Sequence, residues 1–241
     1  MAKPHSEPVC RAVVLLPTYN EIDNLPRILP AILEAAPVDV LVIDDNSPDG
    51  TGELADSFAA ARDRVHVLHR DSKEGLGAAY IAGFRAALAQ GYDYIVQMDA
   101  DFSHPPTHIA HMLKLAADHD VVLGSRWVPG GGTKNWPKRR QLISRLGSTY
   151  ARFVLRAPVR DLTGGFKCFR REVLEAIDLN AIHSTGYAFQ IEMTYRALKL
   201  GFKVIDTPIL FVERALGYSK MSRKIVTEAI WGVPKMRLRR H

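Results

Sequence analysis

The chain has 241 residues, of which 47% are hydrophobic and 24% are charged. This composition is typical of a globular protein and excludes disordered, collagen-like and low-complexity architectures. The two cysteines, Cys10 and Cys168, lie far apart without a CxxC pattern, so neither a disulfide framework nor a cysteine-rich zinc site is expected, and a reducing compartment fits. The first residues lack the apolar core of a signal peptide, and no run of about 18 apolar residues predicts a transmembrane helix.

The net charge of +6 is unevenly distributed along the chain. Residues 1–133 carry 10 Lys and Arg against 18 Asp and Glu, whereas residues 134–241 carry 22 against 8. Anionic partners are therefore expected to contact the second half. Nucleic acid, a membrane surface and phosphorylated substrates all fit this charge pattern.

The first half of the chain alternates between strand and helix patterns. Short apolar runs predict strands, and segments with helical apolar spacing separate them, with a last helix starting at Pro105. Such repeats predict an α/β fold with a mostly parallel sheet flanked by helices, in which ligands bind at the carboxyl ends of the strands. The predicted strands are 11–17, 38–44, 64–70, 93–99 and 120–126, and the helices between them are 24–35, 51–61 and 78–89.

The pattern changes after Arg126. The stretch 128–140 is rich in Gly, Pro and basic residues, which predicts a mobile loop able to close over a site. Without an evident linker or repeat, residues 1–241 are predicted to form one domain. The predicted elements that follow the loop are a basic helix at 141–156, a strand or loop at 161–169, a helix at 186–200, an edge strand at 203–214 broken by Pro208, and a basic amphipathic helix at about 220–240.

Asp99 and Asp101 follow a predicted strand directly. Two carboxylates two residues apart at a strand end can point the same way and suit Mg²⁺ or Mn²⁺, which prefer oxygen ligands. A solvated turn is the alternative for an isolated pair of this kind. The acidic residues at the end of another strand, Asp44 and Asp45, favour the metal site. One of those two side chains can accept hydrogen bonds from a ribose or a base, although an Asx turn would also explain them.

Two other patterns are weaker. Gly75 and Gly77 begin a glycine pattern, but Tyr80 stands where a dinucleotide-binding fingerprint needs its third glycine. His104, His108 and His111 have the spacing of one helical face, which fits a metal site or, with no HExxH pattern, a solvated surface.

An ordered series of segments resembles glycosyltransferase family 2, and within it the dolichyl- or polyprenyl-phosphate mannose synthases. The resemblance implies a GT-A nucleotide-sugar-binding fold. It also implies inverting transfer of mannose from GDP-mannose to a polyprenyl phosphate. The segments are LPTYNEIDNL (16–25), VIDDNSPDGT (42–51), KEGLGAAYIAGF (73–84), MDADFSHPP (98–106), GSRW (124–127), DLTGGFKCF (161–169) and RALGYSK (214–220).

The resemblance also implies roles for individual residues. Asp99, Ala100 and Asp101 fall on the donor diphosphate, and the two carboxylates bind the metal. Some family members carry Gln where this chain has Ser103, so water is expected to complete the metal shell here. The remaining assignments are Pro17, Tyr19, Glu21, Ile43 and Asp45 around the guanosine, Arg126, Arg140 and Ser144 on the acceptor phosphate, and Arg214 and Lys220 in a segment that closes over the donor phosphates.

The implied chemistry agrees with the residues present. An acceptor phosphate is already anionic near neutral pH, so it needs cationic positioning more than a general base. Residues 134–171 carry 11 Lys and Arg and one acid, Asp161. Arg139, Arg145, Arg152 and Arg156 belong to this basic stretch and fit a solvated or a membrane-facing surface.

The basic tail predicts a peripheral enzyme at the cytoplasmic face of a membrane, with a separate or fused transmembrane partner as a further hypothesis. A helix packed on its own domain is the alternative for the tail. Two other functions stay open. One is a family 2 enzyme that uses another donor, such as UDP-glucose, on a lipid phosphate. The other is a nucleic-acid-binding protein, but no helix-turn-helix, RNA-binding or zinc-finger pattern supports it, and nucleic acid is not expected as a partner.

Overall fold

The computed structural model describes residues 10–213 and 232–238. Strands and helices alternate through the first half, as predicted. The strands are β1 (Ala12–Thr18), β2 (Asp39–Asp44), β3 (Val65–His69), β4 (Tyr94–Gln97), β5 (Val121–Ser125), β6 (Gly132–Lys134), β7 (Lys167–Arg170), β8 (Val204–Pro208) and β9 (Leu210–Val212). The helices are α1 (Leu25–Ala35), α2 (Thr51–Ala61), α3 (Leu76–Ala89), α4 (Ile109–Ala116), α5 (Lys138–Leu155), α6 (Arg171–Ala176) and α7 (Gly186–Lys199).

Seven strands form the central sheet in the order β3-β2-β1-β4-β7-β5-β8. All neighbouring pairs are parallel except those of β7, which runs antiparallel to both β4 and β5. The predicted mostly parallel α/β sheet is therefore confirmed, and the segment predicted as strand or loop at 161–169 overlaps β7 at its end. The chain passes from β1 outward to β2 and β3 and then returns to β4 on the other side of β1, which creates a crevice at the carboxyl ends of β1 and β4.

The sheet is buried on both faces. Along β1, Val13 and Leu15 belong to the core on one face, while Val14 and Leu16 belong to the core on the other. This alternation follows from the two-residue repeat of a strand, and burial of both faces explains why the strand is an unbroken apolar run.

Gly83 brings α3 close to the sheet. A Cβ placed on Gly83 would lie 2.4 Å from Cδ1 of Ile43 and 3.0 Å from Cδ1 of Leu15, closer than atoms can pack. Gly83 thus serves the close packing of α3 on the sheet.

The second half differs in detail from the prediction. The segment 128–140, predicted as a loop, contains β6, which pairs in parallel with β9 in a separate two-stranded sheet, and α5 begins at Lys138. The edge strand predicted at 203–214, broken by Pro208, is confirmed, because β8 ends at Pro208 at the edge of the central sheet and β9 joins β6. Of the predicted helix at about 220–240, residues 232–238 are helical and bury Val233 and Met236 against the core, while the rest lies outside the described residues. In the described ranges, no helix is both long enough and apolar enough to cross a bilayer.

Candidate active site

A cavity of about 430 Å³ lies at the carboxyl ends of the central strands. It brings together nine of the residues singled out from the sequence, whereas Ile43 is buried at the end of β2 and Ser144 is half-buried on α5, both outside the cavity lining. Arg214 and Lys220 fall outside the described residues. These nine, among the residues that line the cavity, are Pro17, Tyr19, Glu21, Asp45, Asp99, Ala100, Asp101, Arg126 and Arg140.

The two adjacent aspartates after β2 have different roles. The carboxylate of Asp44 accepts hydrogen bonds from the Thr18 hydroxyl at 2.9 Å and from the backbone N–H and hydroxyl of Ser47 at 3.0 and 2.6 Å. Asp44 therefore builds the turn, as the Asx alternative predicts. Asp45 lines the cavity instead, so it is the member of the pair that a ligand can reach.

Cationic side chains surround this end of the cavity. Arg70 pairs with Asp45 at 2.5 Å, and Nζ of Lys73 lies 3.5 Å from the ring centroid of Tyr19. Burial raises the pKa of Asp45 above its ordinary value, although the charge of Arg70 opposes that rise. A flat aromatic ring, a carboxylate acceptor and two cations suit a nucleoside with its phosphates.

The aspartates after β4 line the cavity, and β4 lies between β1 and β7 in the sheet. The hydroxyl of Tyr80 donates to Asp99 at 3.3 Å, and the backbone N–H of Ser103 donates to Asp101 at 3.0 Å. The backbone N–H of Asp99 donates to Nδ1 of His104 at 3.0 Å. His104 is buried, and burial lowers its pKa, so it is neither part of a solvated histidine face nor on one helix with His108 and His111.

These residues fit a hard divalent cation. Asp99 and Asp101 supply two carboxylates at the cavity wall, and Oγ of Ser103 is buried without a hydrogen-bond partner in the described structure. No cluster of three or more His, Cys, Asp or Glu in the described ranges could hold a metal ion. A cation at Asp99 and Asp101 would thus depend on substrate oxygens and water for the rest of its shell, as Mg²⁺ and Mn²⁺ commonly do.

Arg126 enters the cavity from the end of β5 and is held by Asp161, a residue to which the sequence patterns assign no role. Its Nε and one terminal nitrogen donate to the two carboxylate oxygens of Asp161, each at 2.7 Å, and the terminal nitrogen also donates to the Thr163 hydroxyl at 2.9 Å. The pair is almost fully buried. Burial alone would raise the pKa of Asp161, but the charge and hydrogen bonds of Arg126 outweigh it and lower that pKa.

Arg140 lies on the first turn of α5. Its guanidinium pairs with Glu213 at 2.5 Å and stacks over Trp136 with its central carbon 4.0 Å from the ring centroid. Nε of Arg140 is buried and has no hydrogen-bond partner in the described structure. Ser148 lies one turn beyond Ser144 on α5. Its hydroxyl bonds Asp161 and Thr163, the two side chains that hold Arg126.

Several lining residues carried little signal in the sequence. Tyr80, which stands behind the wall and donates to Asp99 without lining the cavity, attracted notice only where it interrupts a glycine pattern. Trp136 comes from the segment before α5, Gln190 from α7 and Phe211 from β9, so only the tertiary fold places them in one cavity.

The family model for glycosyl transferase family 2 matches residues 13–178, which is more than half of the chain. The chain belongs to glycosyltransferase family 2. Among curated proteins, it is 51% identical over 235 residues to a polyprenol monophosphomannose synthase from Mycolicibacterium smegmatis, covering 96% of this chain and 89% of the relative. It is also 51% identical over 226 residues to an undecaprenyl-phosphate mannosyltransferase from Micrococcus luteus, covering 93% of each.

Solved structures of glycosyltransferases share the fold. A glucosyl-3-phosphoglycerate synthase from Mycobacterium tuberculosis, in complex with Mn²⁺, UDP and glucosyl-3-phosphoglycerate, superposes with a TM-score of 0.66 at 17% identity, covering 95% of this chain and 79% of that one. A mannosyltransferase from Pyrobaculum calidifontis, in complex with GDP-Man and Mn²⁺, gives 0.58 at 20% identity, covering 87% and 58%. The predicted GT-A fold of this family 2 enzyme is confirmed.

Proposed function

We propose that this glycosyltransferase transfers mannose from GDP-mannose to a polyprenyl phosphate, with inversion at the anomeric carbon and dependence on a divalent cation. The observation that carries the proposal is one cavity lined by Tyr19 and Asp45, by the Asp99 and Asp101 carboxylates, and by Arg126 and Arg140. The two curated relatives, both 51% identical over almost the whole chain, are named for mannosyl transfer to polyprenyl phosphates and support this acceptor and sugar.

The reaction requires stabilisation of the leaving group. The bond between the anomeric carbon and the diphosphate breaks, and its electron pair stays on an oxygen of GDP. A divalent cation at Asp99 and Asp101 would supply electrostatic stabilisation of that charge. Tyr80, by donating to Asp99, fixes the direction of one carboxylate before substrate arrives.

The acceptor supplies the nucleophile. A phosphate monoester oxygen is already anionic near neutral pH, so the new bond to the anomeric carbon forms without a general base. Arg140 is suited to orient this phosphate because it reaches the cavity from α5 and can exchange its ion pair with Glu213 for the phosphate. Arg126 is already neutralised by Asp161, so its main contribution is a rigid cavity wall beside the acceptor.

A membrane would present the acceptor, and α5 has the face to meet it. Leu142, Leu146 and Phe153 recur at helical spacing and are 58%, 58% and 83% exposed. The surrounding stretch 134–160 carries eight Lys and Arg and no Asp or Glu. An outward apolar stripe among cations suits the interface of an anionic bilayer. We infer peripheral binding through this stripe, with a separate or fused transmembrane partner as a further possibility and the cytoplasmic face as the location.

The test is transfer of radiolabelled mannose from GDP-mannose to a short-chain polyprenyl phosphate, with Mg²⁺, with Mn²⁺ and with EDTA. Metal-dependent formation of a mannosyl-phospholipid is the expected result. UDP-glucose in parallel reactions tests the other donor. GDP binding without product from GDP-mannose would contradict the proposed donor or acceptor, and undiminished transfer in EDTA would contradict the metal dependence.

A further inference from the structure

One end of the cavity contains buried polar groups without partners. Gln190 of α7 is 2% exposed and lines the cavity, yet neither its Nε2 nor its Oε1 has a hydrogen-bond partner in the described structure. Nε1 of Trp136, another lining residue, is buried and unpartnered as well. Buried polar atoms are normally hydrogen-bonded, so unsatisfied atoms around a cavity indicate groups that a ligand completes.

The backbone of Gln190 is held in place although its side-chain amide has no partner. Its carbonyl oxygen accepts from Nζ of Lys167 at 2.5 Å and from the Thr194 hydroxyl at 3.2 Å. The residue therefore stands on a rigid helix turn, and the amide alone is left for a ligand. A primary amide offers two N–H donors and a carbonyl acceptor. It can therefore bind two adjacent hydroxyl groups of a ligand, each of which can both donate and accept.

The position of Gln190 within the cavity identifies the ligand. The nucleoside end, with Asp45 and Tyr19, lies on the β2 and β1 side of the aspartates after β4. Gln190 lies on the opposite side, because its carbonyl oxygen binds Lys167 of β7, which pairs with β4 on the side away from β1. Gly165 contributes bare backbone to the cavity wall there. A Cβ placed on Gly165 would lie 3.5 Å from Nε2 of Gln190 and 3.4 Å from Cε1 of His104. The group next to the diphosphate in a nucleotide sugar is the hexose.

The walls of this end also suit a hexose. The rings of Trp136 and Phe211 meet edge to face with centroids 5.1 Å apart, and Phe211 meets His104 in the same way at 5.4 Å. Because Nδ1 of His104 accepts the N–H of Asp99, the neutral imidazole carries its hydrogen on Nε2 and adds one more donor. Apolar ring faces with a few fixed donors and acceptors are the usual wall of a small-molecule site.

We infer that Gln190 is a specificity-determining residue that binds hydroxyl groups of the transferred hexose, in a subsite completed by Gly165, Trp136 and His104. The inference rests on the proposed function for the presence of a nucleotide sugar. It goes beyond that function by assigning sugar selection to a side chain that contacts neither the nucleotide end nor the metal-binding aspartates.

The test uses Gln190→Leu, with Gln97→Leu as its matched control. Gln97 of β4 is likewise fully buried with both amide atoms unpartnered, but it does not line the cavity. Both variants replace a buried amide without hydrogen-bond partners by an apolar side chain of similar volume. The melting temperature of each is therefore expected to equal or exceed that of wild type. Binding of GDP, GDP-mannose and UDP-glucose to wild type and variants is then measured by calorimetry with Mn²⁺.

Gln190→Leu is expected to bind GDP within about 2-fold of wild type and to bind the preferred nucleotide sugar about 10- to 100-fold more weakly, since a missing hydrogen bond leaves a buried hydroxyl unpaired. Gln97→Leu is expected to bind both as wild type does. Equal losses for nucleotide and nucleotide sugar, unchanged sugar binding, or a lower melting temperature for Gln190→Leu alone would overturn the inference. The variants are compared on whichever nucleotide sugar the wild type binds best. If that sugar is not GDP-mannose, the proposed donor is wrong, and the inference about Gln190 is still tested with the preferred sugar.

Gly165→Ala supplies a second, independent variant. Its new methyl group would make ordinary van der Waals contacts with Gln190 and His104, and the backbone of Gly165 has no positive φ, so the fold is expected to tolerate it. The methyl group occupies space in the proposed subsite, so binding of the nucleotide sugar should again fall about 10-fold or more while GDP binding stays unchanged. Unchanged sugar binding in a folded Gly165→Ala variant would place the hexose elsewhere.

Discussion

The guanidinium of Arg126 and the carboxylate of Asp161 form a two-point ion pair across 35 residues of chain, with both N–O distances at 2.7 Å. Neither side chain is more than 4% exposed. Breaking such a pair leaves a buried charge without compensation, which costs more than the pair itself contributes. The pair therefore fixes the segment after β5 to the loop before β7 at the wall of the active site.

Replacing Asp161 by Asn is expected to lower the free energy of unfolding by about 3–5 kcal/mol, measured by urea denaturation at neutral pH. Thr163→Val removes one hydrogen bond from the same guanidinium, together with the Thr163 bonds to Ser148 and Asp161, and is expected to cost less, about 1–2 kcal/mol. A loss below 1 kcal/mol for Asp161→Asn would show that Arg126 does not depend on this partner.

The same pair predicts a response to acid. The pKa of Asp161 is lowered in the folded state, so its stabilising contribution is fully present above the ordinary value of 3.8. That contribution is lost as the pH falls from 3.8 through the lowered pKa. The stability of wild type should therefore drop more steeply below pH 4 than that of Asp161→Asn, and parallel acid-unfolding curves would contradict this assignment.

Asp101→Ala is expected to abolish mannosyl transfer while leaving the fold intact, because it removes one of two carboxylates available to a cation. Turnover is measured by the radiolabel assay, and folding by circular dichroism. Asp118→Ala, at an exposed position after α4, is the matched control and should retain full activity. Normal turnover by a folded Asp101→Ala variant would refute the metal-binding role.

Arg140→Ala is expected to raise KM for the polyprenyl phosphate by about 10- to 100-fold and to change the affinity for GDP by less than about 2-fold, because a charge-assisted contact to phosphate is lost only at the acceptor. Arg139→Ala, its exposed neighbour, controls for loss of charge on α5. Equal losses for donor and acceptor would contradict the assignment of Arg140 to the acceptor phosphate.

The sequence was most informative where a local pattern decides the structure. The apolar run of β1 and the helical spacing of α1 predicted those elements within a few residues, and the strand-end rule predicted that Asp45, Asp99 and Asp101 would share a cavity. The resemblance to the family contributed the order of the motifs, and so the identity of the fold.

The rest depends on tertiary contacts that no local pattern encodes. Nothing near Lys167 in the sequence shows that β7 runs antiparallel between β4 and β5, because strand direction is set by the whole topology. The unpartnered amide of Gln190 resembles any polar residue on a helix until α7 packs against the cavity. The histidine spacing was misleading for His104, since the chain turns before α4 and sends that ring inward.

The exposed stripe on α5 predicts membrane binding that can be measured without turnover. Replacing Leu142, Leu146 and Phe153 by Ser is expected to reduce binding to vesicles of phosphatidylcholine and phosphatidylglycerol by about 10-fold or more, since each buried apolar side chain contributes about 1–3 kcal/mol. Co-sedimentation measures this loss. Leu200→Ser, equally apolar and 52% exposed after α7, is the control. Unchanged vesicle binding by the triple variant would assign the membrane contact to another surface.

Lys167 predicts a rise in stability with pH. It is fully buried on β7, and burial lowers its pKa from 10.5 to about 7 although the charge of Asp161 opposes that shift. Between pH 7 and 10.5 the unfolded chain binds a proton at this residue that the folded protein does not, so stability must increase with pH in that window. Below pH 7 both states are protonated and the folded state bears the full cost of the buried charge.

Lys167→Met removes this titration while keeping the volume. The variant's free energy of unfolding relative to wild type should be most favourable below pH 7 and should fall by about 4 kcal/mol between pH 7 and pH 10.5. Urea unfolding at several pH values measures the difference, with the exposed Lys199→Met as the control that shows no such trend. A difference independent of pH would mean that Lys167 is charged throughout, in which case the Gln190 carbonyl and the Thr194 hydroxyl, at 2.5 and 2.9 Å from Nζ, must stabilise an ammonium ion.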